Sequence, residues 1–133
     1  MSNHIHILAR SATGELSNTI RDFKKFTSKN IILEISENTN ESRKEWMLRL
    51  FSHAAKRQKK LGKYQVWTHE NHAIETTSNA FIESKVDYIH ENPVRAGIAR
   101  APEYYIYSSA PVYAGNEGLI DIIPVTFRVK TVK

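Results

Sequence analysis

The strongest constraint on the fold is an alternation of side chains near the start of the chain. Residues 3–9 read NHIHILA, so histidine alternates with isoleucine over four positions. In an extended strand, side chains two residues apart lie on the same face. The pattern therefore predicts a β-strand with Ile5 and Ile7 on a buried face. His4 and His6 would then lie together on the opposite face.

Three later segments have the period of amphipathic helices. The predicted helices cover residues 17–36, with Ser17 as the N-cap, then residues 42–60, and then residues 78–91. Trp46 and Leu50 are expected to face inward from the second helix. Pro93 is expected to break the third helix, because proline lacks the backbone N–H that a helix requires. Further strands are predicted at residues 64–67 and in the closing sequence IDIIPVTFRVKTVK.

Length and composition indicate one globular domain over residues 1–133, because 41% of the side chains are hydrophobic and 25% are charged. No apolar run is long enough to span a membrane, and no secretion leader is recognisable. The sequence has no cysteine, which excludes disulfides, thiolate zinc sites and thiol nucleophiles. These features predict a cytoplasmic protein without a membrane partner.

The net charge of +5 suggests a polyanionic partner such as nucleic acid. Two groups of basic side chains are candidates for contacts with a DNA backbone: Arg21, Lys24, Lys25 and Lys29, and then Lys56, Arg57, Lys59, Lys60 and Lys63. Both groups are equally compatible with solvated helix faces. Trp67 or Tyr64 would stack on an unpaired base, although Trp67 is also a candidate core anchor.

Two short segments contain candidate site residues. Neutral imidazoles at His4 and His6 can occupy adjacent positions on a divalent ion, although such pairs also occur by chance on strand surfaces. Tyr88 and Asn92 are four residues apart, so they lie above one another on a helix face that flanks the apolar stripe. The alternative interpretation of this second pair is a half-buried tyrosine and a C-terminal asparagine cap.

Taken together, these segments resemble the REP-associated tyrosine transposases, bacterial single-tyrosine HUH nucleases linked to repetitive extragenic palindromes (U is a hydrophobic residue). The matching sequences are MSNHIHIL, LSNTIRDFKKFTSK, VWTHENHAIE, DYIHENPVRAGIA, YIYSSA and GLIDI. The resemblance covers residues 1–122.

The resemblance implies an α+β fold, in which helices pack on one face of an antiparallel sheet of the ferredoxin-like or RRM-like type. Family members have a strand, a helix and another strand before the HUH strand, whereas this sequence begins at the motif. Three interpretations stay open. The sheet is incomplete and inactive, the tail PVTFRVKTVK fills a vacant strand position, or two chains pair their open edges in a homodimer.

The resemblance also implies a role for each candidate residue. His4, His6 and Asn92 would bind magnesium or manganese, and Tyr88 would be the nucleophile. Attack on single-stranded or hairpin DNA would leave a 5′-phosphotyrosine and a free 3′-hydroxyl. Ligand softness alone would favour manganese or zinc for two imidazoles.

Two other functions compete with this DNA transposase hypothesis. One is a catalytically inactive remnant that still binds nucleic acid, which the short N-terminal part suggests. The other is a small zinc hydrolase built on His4 and His6, for which the sequence offers no evident third ligand.

Overall fold

The computed structural model describes residues 4–58 and 62–126, which form two compact units. The α1–α2 unit consists of residues 9–58 and 62–73 and contains helices α1, Leu16–Glu37, and α2, Lys44–Arg57. The α3 unit consists of residues 4–8 and 74–126. It contains helix α3 at Asn79–Arg95, a 3₁₀ turn at Pro102–Tyr104 and a short helix α4 at Ala110–Tyr113. This division does not test the single-domain expectation, which stays a prediction.

In the α1–α2 unit, the two helices pack against each other, and the segment at residues 64–67 is bonded to both of them. The backbone N–H of Gln65 donates to the carbonyl of Phe51 in α2 at 3.0 Å. The indole N–H of Trp67 donates to Thr27 Oγ1 in α1 at 2.8 Å. These two bonds fix the segment that carries Tyr64 and Trp67.

The α3 unit is built on a well-terminated helix. Ser78 caps α3, because its hydroxyl accepts a hydrogen bond from the Phe81 backbone N–H at 3.2 Å. Val86 and Pro93 form the buried side of the helix. The 3₁₀ turn packs against both α3 and α4. Packing of the buried side of α3 therefore holds the helix in place, while Tyr88 lies on its exposed side.

Helix α3 continues through Pro93 and ends at Arg95, so the predicted break at Pro93 is wrong. The proline lies in the last turn, where it removes only one helix bond, and Ala96 N–H still donates to the Asn92 carbonyl at 3.0 Å. After the C-cap at Ala96, the chain leaves the helix through Gly97, which has a φ of 68°. Ile98 N–H donates back to the Pro93 carbonyl at 2.8 Å, as in a Schellman motif.

The predicted α+β fold is wrong, because residues 4–58 and 62–126 contain helices and turns but no β-strand. The expected antiparallel sheet is therefore not formed by residues 4–9, 64–67 and 120–126. The predicted ferredoxin-like or RRM-like topology is wrong for the same reason. A strand requires a neighbouring backbone with which to form a hydrogen-bonded ladder, and alternation of side chains supplies only a local preference. The described residues therefore offer no open strand edge through which two chains could pair.

Several apolar side chains are more exposed than their sequence patterns predict. Ile5 and Ile7 are 49% and 52% exposed, so they do not enter a core. Trp46 and Leu50 are also exposed, contrary to expectation.

The rest of the closing sequence, residues 127–133, lies outside the described residues. None of the helices in the described ranges is long and apolar enough to cross a lipid bilayer.

Candidate functional site

Two histidines and a tyrosine from distant parts of the sequence lie together in the α3 unit. The ring centroids of His4 and His6 are 5.1 Å apart, and their planes are at 89°. The His6 ring lies 5.5 Å from the Tyr88 ring at an angle of 81°. Both are edge-to-face contacts, a favourable geometry for aromatic rings. The structure therefore places one candidate metal ligand, His6, next to the candidate nucleophile, and the other, His4, next to His6.

Tyr88 is presented to solvent by α3. The side chain is 44% exposed, while Val86, two residues earlier, is 7% exposed and faces the interior. A nucleophile that attacks a polymeric substrate must be reachable from outside, and Tyr88 meets this condition.

Asn92 lies one helical turn after Tyr88, on the same side of α3. It is half-buried, and its Nδ2 atom is buried without a hydrogen-bond partner among the described residues. A 180° flip of the amide would exchange this nitrogen for the oxygen, an atom that can bind a divalent ion. Asn92 therefore has an unsatisfied polar atom, and its role as a metal ligand stays a prediction.

The donor set fits a divalent ion only in part. Residues 4–58 and 62–126 contain no group of three or more histidine, cysteine, aspartate or glutamate side chains positioned to hold a metal. An ion at His4 and His6 would therefore need further ligands, for which Asn92 and the oxygens of a bound substrate are the predicted candidates.

The electrostatics favour a neutral imidazole at His6. Burial, followed by the nearby His4 and Lys85 side chains, lowers the pKa of His6 below its ordinary value of 6.5. Neutral imidazole is the form that binds metal ions. His6 is therefore in the ligand-competent state at neutral pH.

Lys85 is a member of this cluster that the sequence analysis did not identify. Its Nζ atom lies 4.9 Å from the ring centroid of Phe81 and 5.9 Å from that of Tyr88. The feature that would have revealed it is its position three residues before Tyr88 in a helix, which places the two side chains on one face. It is also the one lysine in the sequence between Lys63 and Lys130.

A basic cleft of about 400 Å³ lies within the α1–α2 unit. Three cations of α1 line it, Arg21, Lys24 and Lys25, opposite residues 64–69. The Lys24 ammonium donates to the Thr68 carbonyl at 2.8 Å and also to Asn71 Oδ1. Lys24 therefore holds one wall of the cleft in place.

The other predicted DNA contacts have varied surroundings. The Arg21 guanidinium donates to Asn18 Oδ1 and to Asp22 Oδ1, each at 3.0 Å. Lys63 lies over the Tyr64 ring at 5.1 Å. Exposed side chains are found at Lys25, Lys29, Lys56, Arg57 and Lys63. Lys59 and Lys60 lie outside the described residues.

Trp67 packs as an anchor of the α1–α2 unit. It is half-buried, its ring lies 6.0 Å from that of Phe23, and its N–H is bonded to Thr27. These contacts support the core interpretation of Trp67 over a role as a free platform for stacking. Tyr64, which also lines the cleft, is the better candidate for contact with a base.

His90 follows Tyr88 by two residues but has different neighbours. Its Nε2 atom is 2.8 Å from Ser109 Oγ, and its ring lies 5.0 Å from the Tyr113 ring. Burial lowers the pKa of His90, while Asp87 and Glu91 oppose this shift. These contacts join α3 to the segment around α4, so His90 supports the helix that carries Tyr88.

Comparison of the chain with protein-family models, curated protein sequences and solved structures gave no match. The placement of residues within each unit is therefore the structural basis for a proposed function.

Proposed function

We propose that the chain is a metal-dependent tyrosine transposase, a single-stranded DNA endonuclease and strand transferase that acts on hairpin DNA in the cytoplasm. The observation that supports this most is the 5.5 Å contact between the rings of His6 and Tyr88. A pair of histidines beside an accessible tyrosine combines a place for a divalent ion with a protein nucleophile.

In the proposed reaction, Tyr88 attacks the phosphorus of a phosphodiester. The phenolic oxygen forms a bond to phosphorus while the bond to the 3′ oxygen breaks. The phenol loses its proton, and the leaving 3′ oxygen gains one, so the products are a 5′-phosphotyrosine and a 3′-hydroxyl. The reverse reaction with another 3′-hydroxyl rejoins DNA without ATP, because the phosphodiester bond energy is kept in the covalent intermediate.

His4, His6 and Asn92 are the residues that would hold magnesium or manganese. A free tyrosine has a pKa of about 10, so its hydroxyl is a weak nucleophile at neutral pH and needs assistance. A bound divalent ion would supply this by neutralising charge on the phosphate and orienting the leaving oxygen.

The basic cleft of the α1–α2 unit is the proposed contact for the DNA backbone. Lys25 supplies exposed positive charge there, Arg21 supplies a guanidinium that also pairs with Asp22, and Tyr64 supplies an aromatic ring. Cations that follow a sugar–phosphate chain, next to a ring on which a base stacks, are typical of single-strand binding.

A nucleic-acid-binding remnant without turnover is the second candidate. The absence of a three-membered cluster of strong metal ligands among the described residues favours it, because two imidazoles and one amide bind a metal weakly without substrate. The same observation disfavours a zinc hydrolase.

The decisive experiment incubates the protein with a 5′-tailed DNA hairpin and manganese or magnesium, and then examines a denaturing gel for a DNA–protein adduct. We expect an adduct that is lost with Tyr88→Phe or chelation and that is strongly reduced with His4→Ala. Tyr104→Phe is the matched control, because Tyr104 is 68% exposed in the same unit and should leave the adduct unchanged. Binding without an adduct would indicate the remnant, and cleavage by Tyr88→Phe would indicate a hydrolase.

A further inference from the structure

We propose that Lys85 is a catalytic residue whose ammonium group binds the phosphodiester that Tyr88 attacks. The catalytic part of this proposal rests on the proposed transferase function, while the phosphate contact can be tested separately from turnover.

The ammonium group of Lys85 lies close to the proposed nucleophile. Phe81 and Tyr88 lie four residues before and three residues after Lys85, so all three side chains project from one face of α3. The Nζ atom is within 6 Å of both ring centroids, at 4.9 Å and 5.9 Å. Cation–π attraction at these distances holds the flexible side chain beside the phenol ring.

The Lys85 ammonium also lacks a counter-charge among the described residues. Lys85 forms no ion pair with any carboxylate in the part of the chain that the structure describes. Glu83 and Asp87 are each two residues away, and residues at this spacing point to different sides of a helix. The ammonium group contacts two aromatic rings, and its charge contributes to the lowered pKa of His6. A half-buried cation in such surroundings is available to bind an anion.

The chemistry of the site identifies that anion as a phosphodiester. When the phenolic oxygen bonds to phosphorus and the bond to the 3′ oxygen breaks, negative charge increases on the non-bridging oxygens. An ammonium fixed beside the nucleophile stabilises this charge and keeps its own protons throughout. Removing one such group from an active site lowers the rate by about 100-fold to 1,000-fold.

The first measurement is the single-turnover rate of adduct formation on the 5′-tailed hairpin. We expect Lys85→Gln to be slower by about 100-fold and Lys85→Arg, which keeps the charge, to be slower by less than about 10-fold. Arg100→Gln removes an exposed cation from the same unit and should change the rate by less than about twofold. Circular dichroism establishes that each variant is folded. Equal slowing by the Gln and Arg variants would overturn the proposal, because it would indicate a packing role.

The second measurement separates this proposal from the transferase function. In a Tyr88→Phe background, binding of a fluorescent single-stranded oligonucleotide is followed as the salt concentration is raised. The logarithm of the association constant falls linearly as the logarithm of the salt concentration rises. Loss of one phosphate contact in Lys85→Gln should make this slope shallower by about 0.7. If the wild type forms no adduct but this slope falls, the transferase function fails and the phosphate contact is supported. An unchanged slope in a folded Lys85→Gln variant overturns the proposal in either case.

Discussion

Lys24 and Lys25 are adjacent in the sequence and line the same cleft, but their surroundings differ. The Lys24 ammonium is bonded to the Thr68 carbonyl and to Asn71, whereas Lys25 is exposed. Sequence analysis could group both with the basic face of a helix, since that requires only residue type and helical spacing. It could not separate them, because the partners of Lys24 come from a segment more than forty residues away.

The two lysines should therefore respond differently to substitution. Lys24→Ala removes hydrogen bonds from a charged group and should lower the free energy of unfolding by about 1 kcal/mol, measured by urea denaturation. Lys25→Ala should leave stability unchanged within about 0.5 kcal/mol. It should weaken the binding of single-stranded DNA. The salt dependence of the binding constant should also fall by the amount expected for the loss of about one phosphate contact. Similar losses of stability in the two variants would contradict the hydrogen bonds assigned to Lys24.

At the scale of elements, the helices were largely predictable and the strands were not. The predicted segments at residues 17–36, 42–60 and 78–91 overlap α1, α2 and α3, because helical periodicity and helix caps are local properties of the sequence. Strand pairing depends on a distant backbone. The alternation at residues 3–9 was therefore insufficient to predict a sheet.

Even the local cap assignments differed from the structure at one helix. Ser17 was the expected cap of α1, yet the helix begins at Leu16 and has no side-chain cap, whereas Ser78 caps α3 through its hydroxyl. Ser78→Ala should lower the free energy of unfolding by about 1 kcal/mol, and Ser17→Ala should change it by less than about 0.5 kcal/mol. Urea denaturation of both variants measures the difference. A greater loss from Ser17→Ala would restore the original assignment.

For the molecule as a whole, only part of the candidate site could be predicted from the sequence. The association of His4 and His6 with Tyr88 came from the family resemblance, since no spacing rule connects residues so far apart. The structure places these rings together without the sheet that the resemblance implied. Lys85 was missed because charge and helical position become informative only when the neighbours of the ammonium group are known.

The distribution of apolar burial distinguishes this helical architecture from the expected sheet. In a sandwich with residues 3–9 as a core strand, Ile5 and Ile7 would be buried, and each isoleucine-to-alanine substitution would cost about 2–5 kcal/mol. Here both are about half exposed, whereas Val86 is 7% exposed. The single variant Ile7→Ala, at the more exposed of the two positions, should therefore lower the free energy of unfolding by about 1 kcal/mol or less. Val86→Ala, which removes less volume, should cost about 2 kcal/mol because the lost methyl groups are buried. Denaturant unfolding of the two variants decides between the architectures, since a core strand would reverse this order.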